Sequence, residues 1–149
     1  MKEVILSVAT VLVTGLSMAQ WTKKYVNNGF DDPYKICFTE TDNRGFLKLE
    51  NTGEGVAFYL QGGYHCEDYP IVDLSFLVNN KWEKHIVFAT KSDNSSTIFL
   101  TDSIESEPYF KSFLNATSVK IRVNEVYCER DIYQFNMSGS TSAFNFIKK

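Results

Sequence analysis

The sequence predicts an all-β fold: a single-domain β-sandwich of about eight or nine short strands with two short accessory helices. Three observations carry this expectation: apolar residues alternate with period two, turn-forming clusters recur at short intervals, and aromatic residues are abundant. All 12 Phe, 8 Tyr and 2 Trp follow Ala19, enough apolar bulk to fill a core and to argue against disorder.

From the N-terminus, residues 1–19 read as a secretory signal. After Met1-Lys2-Glu3 an apolar run extends from Val4 to Leu16, interrupted only by Ser7, Thr10, Thr14 and Gly15, and ends in Ser17-Met18-Ala19. Small residues at Ser17 and Ala19 match a small-x-small cleavage pattern, so cleavage is expected before Gln20. The run falls short of the roughly 20 apolar residues of a membrane span, and no later stretch supplies one. No cysteine follows it to carry a lipoprotein anchor. Residues 20–149 are then one domain of ordinary size, and a secreted or periplasmic destination follows.

The strands come next. Tyr34, Ile36 and Phe38 point one way, and Lys35, Cys37 and Thr39 the other; Leu47 and Leu49 alternate with Lys48 and Glu50. Val56 to Leu60 and Ile71 to Val78 are more continuously apolar, as strands in the middle of a sandwich are. Asn79-Asn80-Lys81 is a hairpin-like break before a strand over Trp82 to Ala89. Thr97–Thr101, Val119–Val123 and Ile132–Met137 complete the set, with turns at Asp42–Gly45, Asn51–Gly55 and Ser92–Ser96. One helix is expected in Ser106–Asn115, where a Ser cap and an early Pro precede Phe110, Phe113 and Leu114. A second, after caps at Ser140-Thr141-Ser142, puts Ala143, Phe144 and Ile147 on one face and Lys148 and Lys149 at its C-terminal end. The first should plug one end of the core and the second should dock on a sheet.

The succession of Phe113-Leu114-Asn115-Ala116, the basic strand Val119–Val123, Phe135–Ser140 and Ala143–Ile147 resembles the tail of small exported bacterial proteins. These are the invasion-associated locus B type and a type VI secretion-associated periplasmic protein; the likeness covers roughly the last 40 residues. The resemblance implies a periplasmic β-sandwich with a non-catalytic role and supplies no site residues.

Charge and chemistry then narrow the function. With 15 Lys+Arg against 18 Asp+Glu the net charge is -3, without the basic excess of a nucleic-acid binder. Of the three cysteines, Cys66 and Cys128 both sit where a strand runs into a polar loop, whereas Cys37 lies mid-strand, so a Cys66–Cys128 disulfide is the preferred pairing. The only histidines are His65 and His85, and no Gly-x-Ser-x-Gly elbow accompanies them. His65, Glu67 and Asp68 match no established metal-ligand spacing. No catalytic residue, metal or cofactor is therefore assigned.

The most suggestive loop is Gly62–Pro70, where two glycines permit unusual backbone angles and Tyr64, His65 and Tyr69 are of the type that anchors contacts. With Trp82 they are the candidate binding residues. The expected function is a non-enzymatic module of the periplasm or extracellular space that contacts a protein or cell-envelope partner through loops at one end of the sandwich. An alternative is glycan binding on exposed rings of Trp82, Tyr64, Tyr69 and Tyr25. A third is a small enzyme using Cys66 or Cys37, which needs an accessible sulfur with a depressed pKa.

Overall fold

The computed structural model describes residues 21–149 apart from 28, 30, 42, 43 and 129; the expected signal segment and part of the Asp42–Gly45 turn lie outside the described residues. The strands are β1 (Thr22–Val26), β2 (Tyr34–Glu40), β3 (Phe46–Asn51), β4 (Val56–Gln61), β5 (Ile71–Val78), β6 (Lys81–Phe88), β7 (Thr90–Lys91), β8 (Thr97–Thr101), β9 (Ser118–Asn124) and β10 (Asp131–Asn136). They form two antiparallel sheets, β1-β2-β3-β4-β8-β7 and β10-β9-β5-β6, so the chain is the expected all-β sandwich. One turn of 3-10 helix (Ile104–Ser106) and α1 (Phe110–Asn115) link β8 to β9, and α2 (Ser140–Lys148) closes the chain.

Two strands exceed the expectation. β1 is mostly polar and exposed, and its register with β2, rather than its own pattern, makes it a strand. β7 has only two residues, paired to β8. In β2 the alternation holds, but the buried face is the one bearing Cys37 and Thr39; Ile36 and Phe38 are half-buried on the outer side. Cross-strand register is the cause. Paired residues share a face, Cys37 sits opposite Leu49 and Thr39 opposite Leu47, and both leucines are buried. The β5–β6 hairpin turns at Asn79 and Asn80, with φ of 49° and 62°, as a primed two-residue turn requires.

The core lies between the sheets, where Phe58 and Leu60 of β4 face Leu74 and Phe76 of β5 and Ile121 and Phe135 beyond them, all buried. α1 plugs one end: Phe113 meets Phe58 edge-on at 5.3 Å and Trp21 at 6.1 Å. α2 buries Ala143, Phe144 and Ile147 against β2 and β3. The helix caps differ from expectation. Tyr109, not Ser106, precedes α1, and Gly139, at φ 90°, precedes α2. The Ser140 hydroxyl instead donates to Phe113 O at 3.0 Å and Thr141 Oγ1 to Leu114 O at 2.9 Å, satisfying carbonyls at the end of α1 that have no partner within the helix. No helix among the described residues is long and apolar enough to cross a membrane.

Candidate binding surface

Residues 62–70 carry the chain from β4 in one sheet to β5 in the other. The crossing starts in a conformation only glycine adopts easily: Gly62 has φ +145° and Gly63 φ +69°, and a Cβ on Gly63 would lie 2.4 Å from Asp131 Oδ2. Backbone hydrogen bonds then pin the loop to the β7–β8 side, from Gly62 N to Ser96 O (2.7 Å) and from His65 N to Ser95 O (2.8 Å). Further on, Lys91 N donates to Asp68 O (2.8 Å) and Ala89 N to Pro70 O (3.0 Å). On the other side the expected disulfide joins Cys66 to Cys128, with Cα atoms 6.2 Å apart. Both sheets thus hold this loop.

Under the disulfide sits Glu125. Its carboxylate accepts from Cys66 N at 2.9 Å and Glu67 N at 3.0 Å, and its second oxygen faces His65 Nδ1 at 3.3 Å. The His65 and Glu125 side chains are wholly buried, and His65 Nε2 contacts Gly62 O at 2.9 Å. In return the Glu67 carboxylate accepts from Val126 N. Each loop therefore satisfies backbone donors of the other, which is the condition for keeping a carboxylate inside a protein.

With the interior of this end occupied by the polar network, the large side chains turn out. Tyr64, Tyr69, Val126 and Tyr127 are between 68% and 88% exposed, on segments fixed by the disulfide. Of the residues singled out in the sequence, Tyr64 and Tyr69 lie on this surface, while His65 sits beneath it as a buried hydrogen-bonding post. Trp82 is elsewhere. It stands six residues from Phe88, the β6 residue that pairs with Ile71 at the loop end, about 20 Å at the usual rise per strand residue. Its ring is half-exposed with the Lys120 ammonium 4.5 Å from the centroid. Tyr25 lies on β1, edge-on to Phe146 at 5.1 Å. The four rings considered for glycan stacking thus occupy three parts of the fold. Val126, Tyr127 and Glu125 were not singled out in the sequence; the signal was the Cys66–Cys128 pairing, which brings residues 125–128 beside the Gly62–Pro70 loop.

The cysteines have the wrong environment for nucleophilic chemistry. Burial pushes the Cys37 thiol up to about 11, against a lowering pull from Lys23, and its sulfur donates to Ala143 O beneath α2 at 3.7 Å. The Cys66 and Cys128 sulfurs lie within 4.8 Å of a Glu125 oxygen but are spent on each other, and a disulfide is not the thiolate that metals prefer. His85 packs against the Phe76 and Tyr109 rings instead. No family model, curated protein or solved structure matches the chain.

Proposed function

We propose that this chain is an exported, non-enzymatic binding module that captures a protein or cell-envelope partner through the disulfide-tied loop end. The observation that carries the reading is the pairing of exposed side chains with a fixed backbone: Tyr64, Tyr69, Val126 and Tyr127 project from loops held by Cys66–Cys128 and Glu125. Tyrosine is enriched at binding hot spots because it offers a large apolar face and a polar tip. A backbone fixed before binding loses little conformational freedom on association, so more of the contact energy is left as affinity. The disulfide supports an oxidising destination.

The test is affinity capture from the envelope fraction with the mature chain and with a Tyr64→Ser, Tyr69→Ser, Tyr127→Ser variant of unchanged Tm. Loss of a specifically captured partner is expected; capture undiminished by the triple substitution would overturn the loop-end assignment. Intact mass of the exported protein tests the compartment: a chain beginning at Gln20 with one alkylatable thiol under denaturing, non-reducing conditions is expected, and a chain retaining Met1 with three would overturn export.

A further inference from the structure

The outer face of the four-stranded sheet is covered by no other element of the chain among the described residues, and its composition is unusual for such a face. Residues paired across strands point the same way, so the register places Phe88 beside Ile71, and Ile86, Asp73, Arg122 and Ile132 in one row. Phe88, Ile86, Ile71 and Ile132 are between 43% and 81% exposed. Scattered apolar residues are ordinary on a surface, but several large ones on one sheet face mark an interaction site.

Two further observations say what would bind at its free edge. First, the face is cationic on a chain whose net charge is -3. Among the described residues, Lys84, Lys120 and Arg122 stand against the single carboxylate of Asp73, which already accepts from Arg122 Nε at 2.9 Å and Asn124 Nδ2 at 3.1 Å. Asp73 is accordingly held below the usual carboxylate range, chiefly by its Arg122 bond. These groups line a groove of about 400 Å³ between Ile86 and Ile132. Second, β6 is an edge strand: among the described residues it pairs with β5 and with no other strand. Its outward face alternates Trp82, Lys84, Ile86 and Phe88.

The geometry points to strand addition along β6 by an extended acidic segment of another protein. A peptide pairing with β6 sets its side chains opposite those of β6 at the usual cross-strand distance. The complement of Trp82, Lys84, Ile86 and Phe88 is then an alternating segment whose face carries one apolar residue, one carboxylate and two apolar residues. The carboxylate meets Lys84, and the apolar residues lie beside Trp82, Ile86 and Phe88. A second copy of the chain fits less well, because its own β6 face of Trp82, Lys84, Ile86 and Phe88 carries no carboxylate to meet Lys84 in any register. An acidic glycan is disfavoured because the Lys120 ammonium lies over the Trp82 ring that would stack on a sugar. The inference does not depend on the loop end.

The test uses a labelled seven-residue peptide, capped at both termini, alternating threonine with a valine, glutamate, valine, valine face, and its twin with lysine for glutamate. Fluorescence anisotropy should show the glutamate peptide binding about tenfold more tightly than the lysine peptide, and Lys84→Glu should reverse the order. Lys84 is exposed, so that variant keeps the fold, and thermal unfolding verifies it. Amide chemical-shift changes should fall on residues 81–88 and not on β1 or β10. Equal affinities, an order unchanged by Lys84→Glu, no binding, or shifts outside β6 would each overturn the proposal. So would a dimer in sedimentation that the peptide does not dissociate, which would give the face to a second copy.

Discussion

At the end of the four-stranded sheet where β9 begins, Tyr109, Phe113 and Trp21 turn inward against Phe58 and Phe76; at the end where β9 stops, Tyr64, Tyr69 and Tyr127 turn outward. The residue types are similar, so intrinsic hydrophobicity does not separate them. The difference is what each end offers the backbone. At the first end, α1 satisfies much of its own backbone, and Ser140 and Thr141 of α2 take its terminal carbonyls, leaving the space inside free for rings. At the second, the loops are irregular, and their backbone donors need acceptors. Glu125 supplies them from within, so a carboxylate and an imidazole share the interior with the buried Tyr133 ring of β10, and the loops' own tyrosines find no place there. Irregular backbone that must be satisfied internally pushes its own large side chains to the surface.

Removing the polar post should have the largest effect. Glu125→Ala strands the Cys66 and Glu67 amides and leaves the buried His65 Nδ1 without its partner, with an expected loss of about 3–5 kcal/mol in denaturant unfolding. Phe113→Ala at the helical end should cost a similar amount by opening a cavity. The two diverge in hydrogen exchange: the Glu125 variant should deprotect residues 64–70 first, and the Phe113 variant the core. A Glu125→Ala loss below about 0.5 kcal/mol, the scale of a surface change, would break the comparison.

Replacing Cys66 and Cys128 by Ser removes a link across a sequence separation of 62 and should cost about 4 kcal/mol on the chain-entropy account. A much smaller loss would mean that the hydrogen bonds alone hold the loop end. Gly63→Ala follows, because it forces a side chain into left-handed backbone and towards Asp131; the backbone term alone is about 1–2 kcal/mol, readable as a lowered Tm. Gly53 also has positive φ but open space around it, so Gly53→Ala should cost less, and equal losses would show that crowding at Gly63 contributes nothing.

The smallest effects are expected at the exposed side chains. Tyr64→Ser, Tyr69→Ser and Tyr127→Ser should each stay within about 0.5 kcal/mol of the parent, as surface substitutions do. Cys37 at the helical end gives a chemical contrast. With its thiol pushed up to about 11, it should resist alkylation in the folded protein at pH 8 and react only on unfolding. Rapid labelling of the native chain would place that sulfur outside the core.

Much of this fold was legible in the residues. The strands from Val56 to Val78, the Asn79-Asn80 hairpin and α2 follow from apolar period, residues that tolerate positive φ, and one apolar helical face. β1 escaped notice because TKKYV has no buried alternation, and its strand state comes from β2 beside it. The Tyr64 and Tyr69 half of the candidate surface was legible too, since glycines beside tyrosines and a cysteine mark a constrained loop. Val126 and Tyr127 were less so, because nothing local separates them from a strand end.

Composition and local pattern by themselves determined the all-β class, the two short helices and the preferred disulfide partners, since alternation, turn chemistry and strand-end cysteines are encoded within a few residues. Tertiary structure alone decided which face of β2 is buried, that His65 serves as a buried post, and that Trp82 stands apart from Tyr64 and Tyr69. These outcomes depend on register with distant strands and on Glu125, 60 residues along the chain from His65. A side chain's local sequence cannot show which remote group will compete with it for the interior.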